Sequence, residues 1–184
     1  KGVINGVSWA GEQIWTIGVK ENEMGDNTGG DVKVDETAPE QGKVYKGCYV
    51  LKSEQSAVSG NITIVTLLAP KSKCSLIFNA DDQADVKKAV DAGIAELAVE
   101  GVNGWRLPTK GEMEYIMDNK ADINNNLKTL GLELIFSNTN GIYYFLNTDN
   151  KIMCMNEVKS SFPPSSGKAG RNLRPVATVT FLKK

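Results

Sequence analysis

One short stretch constrains this chain more than any other: Gly104-Trp105-Arg106-Leu107-Pro108-Thr109-Lys110-Gly111-Glu112-Met113-Glu114. Two large apolar side chains, Trp105 and Leu107, flank Arg106. Pro108 clashes with a helical conformation at the residue before it and so pushes Leu107 toward an extended one. Thr109 can then cap a helix, and Glu112, three residues on, completes a capping box. The spacing predicts a helix over 110–119 that buries Met113, Ile116 and Met117. Upstream, Val86, Val90, Ile94 and Leu97 recur at helical spacing with alanines between them, which predicts a second amphipathic helix over 84–99. Asp81 and Asp82 open it, and Gly101 with Asn103-Gly104 closes it. Both apolar faces read as core packing.

The remainder of the chain alternates β-formers with turns. Val3 to Lys20 predicts one or two strands broken at Gly11, and Glu21 to Gly42 predicts a long surface loop or hairpin excursion. Lys43 to Lys52 predicts a strand with Gly47 at a bulge, Ser53 to Gly60 a polar turn, and Asn61 to Ala69 a β-branched strand ended by Pro70. Cys74 to Phe78 predicts a short strand, and 122–130 a short helix capped by Gly131. Leu132 to Phe136, Ile142 to Leu146 and Lys151 to Met155 predict a three-stranded meander with tight turns at 137–141 and 147–150. Ser160 to Gly170 is an irregular loop, and Asn172 to Leu182 is a single closing strand. We expect 79–184 to form the core of the fold, with 1–78 a β region of the same domain.

Composition narrows the chemistry. The chain has 184 residues and no histidine. That removes Ser-His-Asp and Cys-His catalysis, His-ligated zinc and imidazole acid–base steps together. A net charge of −1 offers no basic footprint for nucleic acid. Cys48, Cys74 and Cys154 are too far apart for a C-x-x-C pattern; one disulfide with a free thiol, or three buried reduced cysteines, both fit. Cys48 and Cys154 lie in apolar, strand-like runs, which favours burial. Asp26 to Asp31 lacks the alternating ligands and distal Glu of a calcium loop. Ser165-Ser166-Gly167-Lys168 fits Ser-x-x-Lys but lies in a Pro/Ser/Gly loop instead of opening a helix. Glu112 and Glu114 are two apart on a helix and so do not face each other as a glycosidase dyad would. No apolar run reaches the roughly 18 residues needed to span a bilayer. The start at Lys1-Gly2 is expected to be a processed end, so the lack of a visible signal peptide does not argue for the cytoplasm.

The Ala84–Val99 helix, Gly-Trp-Arg-Leu-Pro-Thr at 104–109, the Glu-bearing helix after it, Phe136-Ser137-Asn138-Thr139, the meander, and Leu173-Arg174-Pro175-Val176 form a pattern. It resembles the domains of unknown function with a C-type-lectin-like fold found in secreted and surface proteins of Bacteroides-type bacteria. Those domains carry Trp-Arg-Leu-Pro-Thr, later Trp-Ser-Ser-Thr, and Val/Leu-Arg-Pro-Val near the end. The formylglycine-generating sulfatase-modifying enzymes share the Arg-Leu-Pro-Thr element. The likeness covers about residues 80 to 184 and fits residues 1 to 78 poorly.

The resemblance implies an α+β domain in which two main helices pack on a small twisted antiparallel sheet, with long irregular loops presenting a binding surface. It implies that the closing strand pairs in the sheet of the meander. It also implies that Trp105 is a core anchor, Arg106 the partner of a carboxylate, and Arg174 the same at the last strand. Sugar binding through calcium would need Glu-Pro-Asn or Gln-Pro-Asp with Trp-Asn-Asp, and neither occurs. Formylglycine-type chemistry needs a reactive cysteine in the C-terminal half, where Cys154 stands alone in a strand pattern. We therefore expect a non-catalytic binding or adhesion module, exported to the periplasm or outer surface, with a lipoprotein as one form. It would recognise a glycan or a surface protein through loops near Tyr143, Tyr144 and Phe162. The alternative is a structural or assembly subunit of a surface fibre; a formylglycine-type enzyme ranks third. No cofactor, metal ligand, catalytic residue, nucleic-acid partner or membrane insertion is expected, and no individual ligand-binding residue is assigned.

Overall fold

The structure is a computed structural model that describes residues 6–9, 12–15, 30–136, 143–149, 151–167 and 171–183. Strands β1 (Gly6–Trp9) and β2 (Glu12–Trp15) pair as an antiparallel hairpin. Then follow β3 (Asp31–Val34), β4 (Val44–Tyr45), β5 (Cys48–Ser56), β6 (Ser59–Leu68) and β7 (Lys73–Cys74). Three helices come next: α1 (Gln83–Leu97), α2 (Lys110–Asp118) and α3 (Lys120–Thr129). The chain ends with β8 (Tyr143–Thr148), β9 (Lys151–Asn156), β10 (Ser161–Phe162), β11 (Arg171–Leu173) and β12 (Val176–Leu182). This is an α+β fold. Among the described residues no helix is long and apolar enough to cross a membrane.

Two five-stranded sheets form, one in the order β3-β12-β6-β5-β4 and the other β10-β9-β8-β11-β7. The expectation of one sheet with a single closing strand is thus corrected. The closing run breaks at Arg174-Pro175: β11 pairs with β8 and β7 in the meander's sheet, and β12 crosses to pair with β6 and β3 in the N-terminal sheet. Pro175 has no N–H for a ladder at this point, and Arg174 ties the crossing together. It is fully buried, and its guanidinium donates to four main-chain carbonyls, those of Ala69 (2.8 Å), Pro70 (3.3 Å), Glu133 (2.6 Å) and Leu134 (3.2 Å). Its partners are therefore backbone oxygens and not the carboxylate expected for it. Burial pulls its pKa down from the usual value, while Tyr144 and Glu133 act in the opposite direction.

The same accounting explains the other departures. Leu132 to Phe136 forms no strand, because side chains take its main-chain groups. Asn124 both donates to Ile135 O (2.7 Å) and accepts from Ile135 N (2.8 Å), and Arg174 holds the two preceding carbonyls. Cys74 to Phe78 stops being a strand at Ser75, whose φ of 58° turns the chain. Polar residues 53–56 extend β5 instead of forming a turn, because they pair with Ser59 and Thr63 to Val65 of β6. Gly47 is not in a bulge. Lys46 (φ 48°) and Gly47 (φ 80°) are the two central residues of the tight β4–β5 hairpin, where both positions need a left-handed conformation.

The meander's sheet is covered on both faces. Side-chain alternation sends Phe145, Cys154 and Leu173 toward α1, where they pack with Val86 and Val90. It sends Tyr144, Leu146 and Met155 to the other face, against Met113, Ile116, Ile123 and Leu127 of α2 and α3. That second cluster also takes in Tyr49, Leu51, Leu68 and Val176, so it joins the two sheets. Gly93 lets α1 sit close: a Cβ there would lie 2.6 Å from Leu173 Cδ2. The far face of the N-terminal sheet packs Val50, Val65, Leu67, Val179 and Phe181 with Val102, and the half-buried Trp105 lies at the rim of that cluster. Trp105 is thus a flank of the core and not its centre, with Nε1 enclosed and without a hydrogen-bond partner.

The Arg106–Glu112 stretch spans the sheets. Arg106 exchanges both main-chain hydrogen bonds with Val176 of β12, each 2.9 Å. Two residues on, Pro108 O accepts from Asn147 N of β8 at 2.9 Å. Thr109 and Glu112 form the full capping box of α2. Glu112 also accepts two hydrogen bonds of 2.8 Å from the Arg106 guanidinium, which donates besides to Thr178 Oγ1. Burial pushes the Glu112 carboxyl up, but the hydrogen bonds and charge of Arg106, with those of Thr109, outweigh it and hold the group below its usual value. A carboxyl depressed in the folded state contributes stability above its unfolded pKa and loses it as pH falls through the folded one. Replacement of Glu112 by Gln should cost about 2 kcal/mol at neutral pH. It should also flatten the loss of stability below about pH 4.5, the ordinary glutamate value. Denaturant unfolding of both proteins at neutral and acid pH checks this; an unchanged acid limb would contradict it.

Candidate functional site

The described residues hold no cluster of His, Cys, Asp or Glu able to bind a metal. The surface feature that gathers ligand-type side chains lies at the β10 end of the meander's sheet. Its construction begins at Asn156. The Asn156 side chain accepts from Val158 N (3.2 Å) and Ser160 N (2.9 Å), and Lys159 takes a φ of 61°. This closes a tight turn that lays β10 along β9, with Phe162 opposite Cys154. Pro163 and Pro164 have no N–H and end the strand at the sheet edge. The loop that follows is pinned beneath: Ser166 Oγ accepts from Phe78 N at 2.9 Å, and Gly167 N donates to Leu76 O at 2.8 Å.

Phe162 remains 38% exposed. Its ring meets Tyr143 of β8 edge to face, centroids 5.4 Å apart. Arg171 of β11 lies beside Tyr143 in parallel register, and its guanidinium carbon stacks 3.6 Å from the centre of the same ring. Tyr143 is therefore flanked by an exposed aromatic ring on one side and a cation on the other. The stack fixes both the arginine and the phenol.

Two of the three aromatics singled out in the sequence, Tyr143 and Phe162, come together here. Tyr144 does not. It points to the opposite face, buried against Phe136 at 4.5 Å between ring centres, under α2 and α3. Arg171 was missed, since in sequence it is one arginine in an irregular stretch, and only the parallel β11–β8 pairing puts it on Tyr143. Asp31 is taken up by Asn103, which donates to both its carboxylate oxygens, and by Lys33 at 3.8 Å. The rest of the acidic loop at 26–29, the turn at 137–141 and Lys168 lie outside the described residues. Glu114 pairs with Lys110 at 3.8 Å and Glu112 with Arg106, so the two acids serve separate structural contacts.

The three cysteines are free thiols, Cys48 and Cys154 buried and Cys74 exposed. Burial pushes the Cys154 thiol up to about 12, against a smaller opposing pull from Arg171, and Cys48 to about 11. A nucleophilic thiolate needs an accessible, electropositive setting, which neither buried cysteine has. No protein-family model matches the chain, and no curated protein and no solved structure matches it.

Alkylation separates these cysteines. At pH 8 the folded protein should take up one equivalent of iodoacetamide, at Cys74, and the other two thiols should react only in denaturant. Mass spectrometry of the digested product checks this; rapid labelling of Cys154 in the folded state would contradict its burial.

Proposed function

We propose that this chain is a non-catalytic binding or adhesion module of an exported surface protein, with a C-type-lectin-like fold, that recognises a glycan or protein partner. The observation that carries the reading is the row of Phe162, Tyr143 and Arg171 running from the edge strand β10 to β8 and β11, with Phe162 exposed and the other two half-buried. Flat aromatic rings held rigid at a surface give contact area at low cost in side-chain entropy, as binding sites require. The inert setting of Cys154 argues against a formylglycine-type enzyme. The lectin-like assignment and export rest on the Trp-Arg-Leu-Pro-Thr and Leu-Arg-Pro-Val segments. The first of these links β8 to β12, and the second is where the chain passes from one sheet to the other.

A second reading, an assembly subunit of a surface fibre, is favoured by a different observation. Among the described residues strand β3 lies at an edge of its sheet, with Val32 60% and Val34 45% exposed on one side. An open edge can take up a strand from a neighbouring subunit.

Screening the purified protein against glycan and surface-protein arrays, with Phe162→Ala beside it, tests the first reading. Binding by the parent protein should weaken about tenfold in the variant, the worth of one aromatic contact, with the unfolding midpoint little changed. A parent protein that binds nothing, or a variant that binds equally well, would remove the reading.

A further inference from the structure

The chain's three arginines are treated differently. Arg106 is held by Glu112, and Arg174 by four carbonyl oxygens. Arg171 makes neither an ion pair nor a hydrogen bond through its side chain among the described residues, and its Nε is enclosed without a partner. Its one contact of note is the stack on Tyr143. The Arg106 Nε is enclosed without a partner in the same way, so what sets Arg171 apart is that its terminal nitrogens have no hydrogen-bond partner among the described residues. Here a planar cation with unmet donors is fixed in orientation on the half-buried Tyr143, whose other neighbour is the exposed Phe162.

Resting on the binding-module reading above, we propose that this platform takes a sugar ring bearing a carboxylate, with Arg171 holding the carboxylate and Phe162 packing on the apolar face of the sugar. The guanidinium fork matches a carboxylate with two parallel hydrogen bonds, and partial burial strengthens them relative to bulk water. Phe162 and Arg171 flank the same tyrosine ring, a separation that one or two sugar rings span. An acidic peptide also offers carboxylates, but the edge here disfavours it. Strand β10 has two residues and runs into Pro163-Pro164, which present no N–H to an added strand.

Calorimetric titration with trigalacturonate, neutral galactotriose and a glutamate-rich peptide tests the inference, using the parent protein and Arg171→Gln, Arg171→Lys and Phe162→Ala. Trigalacturonate should bind the parent at least about tenfold more tightly than galactotriose. Arg171→Gln should abolish that preference, Arg171→Lys should keep part of it, and Phe162→Ala should weaken the binding of both sugars. Thermal unfolding of each variant separates lost contact from lost fold, and the lysine variant keeps the charge if the glutamine one does not fold. Equal affinity for both sugars, or a preference that survives Arg171→Gln, overturns the inference and leaves the binding-module reading intact. The peptide binding as tightly as trigalacturonate overturns the sugar class. Binding of neither sugar overturns the inference, and the array screen then decides the broader reading separately.

Discussion

The bidentate pair between Arg106 and Glu112 is the interaction on which the architecture turns. A carboxylate that caps its own helix could have satisfied itself with main-chain N–H groups alone. Here it also receives a guanidinium from a residue hydrogen-bonded to the last strand. One side chain thereby fixes the start of α2, the position of Arg106 and the approach of β12. Because Pro108 O is bonded to β8 close by, the α2 start is tied to both sheets at once. The hydrophobic cluster running from Leu68 and Val176 to Tyr144 and Met155 fills the space that this tie creates. Burial supplies the non-directional drive for the sheets to meet, and the polar junction sets the angle and register at which they do.

Arg174 plays the complementary part at the other crossing. Where the chain passes from one sheet to the other it must leave main-chain carbonyls without ladder partners. A buried guanidinium answers several of them at one point. The two arginines of the recognisable motifs are thus used up inside the fold, and neither is available to a ligand. That leaves Arg171 as the arginine without an ion pair or side-chain hydrogen bond among the described residues, stacked on the tyrosine that the exposed Phe162 also meets.

The local chemistry of the helices was legible in the sequence because it is set by neighbours: Thr109 and Glu112 three apart, Val86 and Val90 four apart. Two of the three expected meander strands, β8 and β9, were legible for the same reason, through alternation, and the third, Leu132 to Phe136, is not a strand. What could not be read were features decided at long range. Leu132 to Phe136 has the composition of a strand, but its hydrogen bonds go to Asn124 in the helix before it and to Arg174, 41 residues beyond Glu133. Pro175, which has no N–H for a ladder, was a local signal of the break in the closing strand, but which sheets the two halves join depends on long-range pairing. At the candidate site, Tyr143 and Phe162 stood out by residue type, while the inward turn of Tyr144 followed from strand phase and the role of Arg171 from a parallel pairing between segments far apart in sequence.

Hydrogen exchange at three amides tests most directly whether one polar junction makes the sheets a single unit. Arg106 N and Val176 N bond across to β12 and back, and Asn147 N bonds Pro108 O from β8. If the account holds, under native conditions all three exchange with one common free energy, equal to that of global unfolding. Exchange of Asn147 at a much lower free energy than Val176, with the two sheets opening independently, would contradict it.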